Sequence, residues 1–378
     1  MKITKVEPII LKVPASMGMD ETIMSDDVVV RVETDEGLSG IGETAGPPFS
    51  VMPLIRSVHQ GTWYKGFEDI LVGEDPLDVE RLWEKMYRYS LHYGSRGLIV
   101  WAMSAIDIAL WDILGKAQKQ PVFKLLGGGG KPIPAYASLP SYATSEELIA
   151  ACEEVVKKYN FTAIKFHTDP ARLHDDTWVR FTKAVREHFG SGLTLMLDAH
   201  NEFGTEEAIK FAKALEPYGV YFFEAALLPD NIEGYAKLSE STEMLVAAGE
   251  EFTTRFMYRD LIERGNIDVV QLDVTLGGGI TDGIKVARLA KERGRLLVPH
   301  SWNTDISFAA NLHFASAAGS PFVEWPISKS PLRNALTRER IPLDPNGSVT
   351  PTTSPGLGVT LDESIVETYR FKGPLGHY

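Results

Sequence analysis

Residues 163–326 carry the series AIKFH (163–167), LTLMLDAH (193–200), VYFFEA (220–225), LVAAGEE (245–251), VVQLDVT (269–275), RLLVPHSW (295–302) and PFVEWP (321–326). Each is a short apolar run with one charged or imidazole residue at or near its end: Lys165, Asp198, Glu224, Glu250, Asp273, His300 and Glu324. Consecutive members stand 33, 26, 26, 23, 27 and 24 residues apart. One strand, one loop and one helix fit such an interval, so each residue is expected to close a strand of a repeating β/α unit. The runs are short and apolar throughout, as strands buried on both faces require.

Outward from this series, IPAYASL (133–139) supplies one more strand, and the helix after it opens on a capping pattern at Thr144 and Glu147. Eight strands with intervening helices predict a TIM-like barrel. Gly127–Gly130 lacks the Lys-Ser/Thr of a phosphate loop and reads as a linker. Before it, ITKVEPIILKV (3–13), DDVVVRVET (26–34) and LSGIGE (38–43) form an expected antiparallel meander turning at Asp35-Glu36-Gly37. Two stretches read as loops, ASMGMDETIMS (15–25) and AGPPFSVMP (45–53). Asp75-Pro76 predicts the start of a helix through LDVERLWEKMYRY (77–89), and LIVWAMSAIDIALWDILGKA (98–117) is apolar nearly all round, as a buried helix is. The acids of that helix, Asp107 and Asp112, are expected to serve structure. The organisation read from these signals is an α+β capping domain over residues 1–126, a barrel over 127–330 and a segment, 331–378, that packs back on the capping domain.

A formal charge of −13 argues against nucleic acid or an anionic membrane as a partner. The single cysteine, Cys152, excludes an intrachain disulfide and falls in an amphipathic helix, where a buried structural thiol is expected. The N-terminus lacks a secretory pattern, and no uninterrupted apolar stretch of bilayer length is apparent, so a cytoplasmic protein is expected.

In a parallel barrel the site lies at the C-terminal strand ends. Asp198, Glu224 and Glu250 end three consecutive strands there. Three carboxylates facing one cavity repel each other, and all-oxygen ligands favour Mg²⁺, or Mn²⁺, as the neutralising cation. Asp273 beside His300 fixes the imidazole tautomer and raises its basicity, which suits a general base. Lys165 near other cations is expected to have a depressed pKa and to serve as acid, base or stabiliser; taken alone, it would be a salt bridge. Glu324 can donate a hydrogen bond if it is held protonated.

The ordered series Lys165, Asp198, Glu224, Glu250, Asp273, His300, Glu324, with the meander and the AIDIALWDILGKA helix ahead of the glycines, resembles the mandelate racemase-like branch of the enolase superfamily. The resemblance implies a modified (β/α)7β barrel under an N-terminal α+β capping domain, and Mg²⁺ held by Asp198, Glu224 and Glu250. It also implies removal of the proton α to a carboxylate through a metal-stabilised enediolate, with His300 and Lys165 on opposite faces of that carbon and Glu324 hydrogen-bonded to the carboxylate. The family suggests a homo-oligomer. Racemases of the branch carry two lysines two residues apart, but here the second is His167. His200 stands where many relatives have Asn and where some sugar-acid dehydratases carry a catalytic histidine. If the strand continues past Asp198, His200 faces the same side; otherwise it hydrogen-bonds substrate or a loop. The three imidazoles favour a Mg²⁺-dependent dehydratase of an aldonate or aldarate, a carbon–oxygen lyase giving a 2-keto-3-deoxy acid. A racemase or epimerase of a 2-hydroxy or amino acid is the alternative, and a non-catalytic metal-binding scaffold is a more distant one.

Overall fold

The computed structural model describes residues 1–14, 26–56, 65–167 and 176–373. The chain begins with β1 (Ile3–Lys12), β2 (Asp26–Thr34) and β3 (Ser39–Thr44), paired antiparallel in the order β1-β2-β3. The sequence ASMGMDETIMS lies outside the described residues. AGPPFSVMP is not all loop: a helix runs from Pro48 to Ile55, opened by proline at a position whose N–H needs no partner. The helix expected from Asp75-Pro76 starts later, at Val79, because Asp75 Oδ1 accepts the Leu77 N–H at 3.0 Å and closes a turn instead.

Strand alternation divides β2 between two cores. Val28, Val30 and Val32 pack with the helices of the N-terminal region, whereas Val29 joins the large core shared with the barrel. The helix Leu98–Gln118 lies against β3, and the fit is made by small residues. A Cβ on Gly40 would stand 2.0 Å from the Ala109 carbonyl oxygen, and one on Gly42 would stand 1.9 Å from that of Ala105. Two glycines two apart on a strand thus face two alanines four apart on a helix. Gly42→Ala is therefore expected to destabilise the fold by about 3 kcal/mol through overpacking, read as a lower urea midpoint with an unchanged slope.

This helix, 21 residues long, is by length and composition apolar enough to cross a bilayer, although Asp107 and Asp112 interrupt its apolar run. Its apolar surface is spent inside the protein, and its two acids bond to backbone. Asp107 accepts the Thr281 N–H at 2.9 Å, and Asp112 accepts those of Ile41 at 3.0 Å and Leu357 at 2.9 Å.

The second sheet is parallel. It contains β4 (Ile133–Leu139), β5 (Ala163–His167), β6 (Thr194–Asp198), β7 (Val220–Glu224), β8 (Leu245–Ala248), β9 (Val269–Val270), β10 (Leu296–Leu297) and β11 (Val323–Pro326). Their order is β10-β9-β8-β7-β6-β5-β4-β11. Tyr136, Ala163, Met196, Phe222, Ala247, Val269, Val298 and Phe322 form one interior cluster with a member from every strand or its flank, so the sheet is rolled around a packed centre. Intervening helices cover the outside, among them Ser145–Tyr159, whose Thr144–Glu147 capping box forms as the pattern predicts and which buries Cys152. The fold is the expected α/β barrel with an N-terminal antiparallel sheet.

After the barrel, Ser348–Val349 pairs with β4, and the Phe371 N–H donates to the Ile10 carbonyl at 2.9 Å. One contact between the N-terminal sheet and a barrel helix bears directly on the barrel mouth. Glu43, buried on β3, accepts the backbone N–H groups of Thr304 at 3.0 Å and Ser307 at 2.9 Å, at the start of the helix Asp305–Ala318. A carboxylate there complements the helix dipole and anchors the turn 300–304.

Candidate active site

Residue parity carries the strand-end side chains to the barrel centre. On β5, Ile164 and Phe166 pack outward in the large core, so Lys165 and His167 share the interior face with Ala163. Asp198 follows Met196 by two, Glu224 follows Phe222, Asp273 follows Val269 by four, and His300 and Glu324 follow Val298 and Phe322. Glu250 has the wrong parity relative to Ala247. Gly249 corrects this with φ +142°, a conformation that strains any residue with a side chain, and its missing Cβ would lie 3.1 Å from the Gln271 N. The chain there turns Glu250 into the site.

One candidate oxygen from each of Asp198, Glu224 and Glu250 lies within 4.8 Å of the others. Burial pushes Glu224 up to about 7 despite the nearby Lys165, and burial drives Glu250 well above the ordinary carboxylate range. Burial also opposes ionisation of Asp198, but the His167 hydrogen bond and the Lys165 charge hold it far below its usual value. Among the described residues no group donates a hydrogen bond to the buried Glu250 Oε2, which faces His300 Nε2 at 3.3 Å as an ion-pair contact. Crowded carboxylates with an orphaned oxygen fit a hard divalent cation.

His300 Nδ1 lies 2.9 Å from Asp273 Oδ2. Asp273 Oδ1 accepts from Thr275 N and Oγ1, both at 2.8 Å, and from Asn311 Nδ2 at 2.9 Å. Every acceptor direction facing the protein is used, which locks the carboxylate behind the imidazole. Burial lowers the His300 pKa, yet Glu250, Glu324 and Asp273 together raise it well above the ordinary histidine value.

Lys165 is fully buried and lies beneath the cavity floor. Its Nζ donates to Glu224 Oε1 at 2.9 Å and Oε2 at 2.8 Å, and it faces Glu324 Oε1 at 2.9 Å and Asp198 Oδ2 at 3.7 Å. The expected depressed pKa is not what this arrangement produces. Burial does act downward, but Glu224, Glu324 and the other neighbours outweigh it and hold the ammonium well above its usual value. Glu324 is likewise shifted away from the protonated form. Burial pushes it up, but Lys165, His300 and the Ser301 N–H at 3.0 Å bring it down to about 2.

β6 ends at Asp198, so His200 does not reach the site along a continued strand. It gets there through a left-handed turn with φ +50° at His200 and +62° at Asn201. The turn places the His200 N–H on Asp198 Oδ1 at 2.9 Å, with the imidazole Nε2 3.6 Å from Oδ2. His167 Nε2 lies 3.3 Å from the same oxygen, and burial lowers the pKa of that imidazole.

A cavity of about 330 Å³ opens over these groups. His167, Asp198, His200, Glu250 and His300 line it together with Ala45, Pro140, Trp302 and Asn303. Ala45, Pro140 and Asn303, which lie outside the quoted strand stretches, thus enter the wall. Trp302 packs edge-on against His167 with centroids 6.2 Å apart, and Asn303 Nδ2 is buried without an acceptor among the described residues. RLLVPHSW already contained Trp302, but the turn after it is held across the mouth by distant side chains, Glu43 on the Thr304 N–H, Glu324 on the Ser301 N–H and Arg333 on the Thr304 carbonyl. Asn311 had no signal at all, because it sits 38 residues from its partner Asp273. Asn311→Leu is expected to lower kcat about tenfold with little change in KM, since it loosens Asp273 without touching substrate; a steady-state comparison checks this.

Comparison with known proteins agrees with this architecture. Residues 1–127 match the family model described as mandelate racemase / muconate lactonizing enzyme, N-terminal domain, and residues 147–365 match enolase C-terminal domain-like. An arabinonate dehydratase of Saccharolobus solfataricus is 34% identical, over 91% of this chain and 91% of its own. A D-galactarolactone cycloisomerase of Agrobacterium fabrum is 30% identical, over 99% of this chain and 100% of its own. A solved mandelate racemase/muconate lactonizing protein from Paracoccus denitrificans complexed with magnesium superposes with TM-score 0.86 at 26% identity, covering 99% of this chain and 100% of that one.

Proposed function

Because the chain belongs to the mandelate racemase and muconate lactonizing enzyme branch of the enolase superfamily, we propose that it is a Mg²⁺-dependent dehydratase of an aldonate or aldarate. The observation that carries the reading is the placement of three imidazoles around one cavity, two of them on opposite walls. His200 follows β6 and His300 follows β10, four strands apart in an eight-strand ring, and His167 stands beside His200. Elimination needs a base for the α-proton and an acid for the departing 3-hydroxyl, and imidazoles meet both needs near neutral pH.

Asp198, Glu224 and Glu250 would hold Mg²⁺, which when bound acts as a Lewis acid towards the substrate carboxylate. Glu250 faces His300 Nε2 at 3.3 Å, and as a ligand to the cation it would release that nitrogen to accept a proton. Asp273 keeps Nδ1 protonated, so Nε2 takes the α-proton. Lys165, ionised beneath the floor, stabilises the negative charge that develops on the carboxylate, and Glu324 positions Lys165. His200, with His167 behind it, protonates the 3-hydroxyl as the C–O bond breaks. Water leaves, and the resulting enol tautomerises to the 2-keto-3-deoxy acid. The unpartnered Asn303 donor suits a polyhydroxylated substrate. The relatives named arabinonate dehydratase and D-galactarolactone cycloisomerase support a sugar-derived acid.

A library of aldonates and aldarates incubated with Mg²⁺ in deuterated water tests the reading. Formation of a 2-keto acid with loss of water is the expected result. Exchange of the α-proton for deuterium with no elimination would instead assign a racemase or epimerase.

A further inference from the structure

His167 and His200 form, with Asp198, an arrangement that the elimination chemistry alone does not require. Both imidazoles direct Nε2 at one oxygen: His167 at 3.3 Å and His200 at 3.6 Å from Asp198 Oδ2. Their rings stand 4.8 Å apart, tilted by 34°. One candidate ligand atom from each of the three residues lies within 4.8 Å of the others. In a tetrahedral zinc centre with bonds of about 2.0–2.1 Å, neighbouring ligand atoms are about 3.3 Å apart. The His167 and His200 contacts with Asp198 approach that edge length before any cation draws them together. His167 is buried, whereas the His200 side chain is 41% exposed, so one ligand is rigid and the other lies at the entrance.

We propose that His167, His200 and Asp198 form a second cation site, selective for Zn²⁺ or another imidazole-seeking divalent metal, that shares Asp198 with the oxygen-only site. The two donor sets differ in kind. Three carboxylates favour a hard cation, whereas two imidazoles and one carboxylate favour Zn²⁺, Co²⁺ or Ni²⁺. Asp198 is common to both sets, and a carboxylate has an oxygen for each side, as in two-metal centres. All three residues line the cavity, so an ion held by them would face it. Filling the site ties up the imidazoles placed on the acid side of the reaction, so Zn²⁺ inhibits without removing Mg²⁺. Only this last consequence and the sharing of Asp198 rest on the function proposed above; the site itself rests on its geometry.

The test is metal stoichiometry. Protein saturated with Mg²⁺ is titrated with Zn²⁺, and both metals are counted after equilibrium dialysis. One added Zn²⁺ per chain with Mg²⁺ retained is expected, and Co²⁺ in its place should show the visible bands of a four-coordinate ion. His200→Ala and His167→Ala should each weaken this binding at least tenfold, and His200→Ala, altering an exposed side chain, keeps the test independent of folding. Replacement of Mg²⁺ by Zn²⁺ one for one, or unchanged Zn²⁺ binding in His200→Ala, would overturn the proposal. Because the readout is bound metal, the result stands apart from whether a sugar acid is dehydrated.

Discussion

Replacing His300 with asparagine is expected to lower turnover of the true substrate by about 10³-fold, while the folded protein and its Mg²⁺ binding persist. Asparagine is close to imidazole in size and can still hydrogen-bond Asp273 Oδ2, now 2.9 Å from His300 Nδ1, but it cannot accept the α-proton. The dyad is held from behind by Thr275 and Asn311, so the loss should fall on the chemical step and not on local packing. If His300 is the base, α-deuterium exchange in the variant falls together with turnover. Unchanged turnover in His300→Asn would remove His300 from the mechanism and move proton abstraction to His167 or His200.

Lys165→Met should produce the second large effect, and it should appear in stability as well as rate. The Lys165 ammonium is enclosed by Glu224 at 2.8 Å, Glu324 at 2.9 Å and Asp198 at 3.7 Å, and all four side chains are buried. Methionine preserves much of the volume but removes the positive charge. Leaving buried carboxylates without their partner costs about 3–5 kcal/mol. In EDTA the variant should therefore melt well below the parent. Mg²⁺ should return more stability to the variant than to the parent, because the cation then compensates carboxylates that Lys165 no longer reaches. Differential scanning fluorimetry with and without Mg²⁺ reads both effects. Equal melting temperatures in EDTA would mean that the carboxylates relax or take up protons without cost, and that Lys165 is not the group holding this floor together.

Much of the scaffold was legible because a barrel repeats. A strand, a loop and a helix consume similar lengths of chain at each turn, so the spacing of Lys165, Asp198, Glu224, Asp273, His300 and Glu324 already carried the architecture. Alternation along each strand then carried their common inward direction. Glu250 was found by spacing although its parity is wrong, and the positive φ of Gly249 supplies the correction. Other parts had no local signal. Glu43 anchors Thr304 across 261 residues, and Asn311 reaches Asp273 from the helix Asp305–Ala318.

The charge states of the site show the division most sharply. Residue type and order alone determined which chemistry could be assembled: three carboxylates for a hard cation, a carboxylate–imidazole pair, and one lysine. Tertiary structure decided how those groups act on each other. Sequence suggested a lysine with lowered pKa and a protonated Glu324, but folding put these two groups 2.9 Å apart, where each holds the other ionised. It also ended β6 at Asp198 and turned His200 back onto the same oxygen that His167 faces. The physical reason is that strand and helix periods are short-range properties written along the chain, whereas a pKa depends on the distances between charges and on the water excluded around them. Those distances exist only once strands far apart in sequence have closed into one barrel.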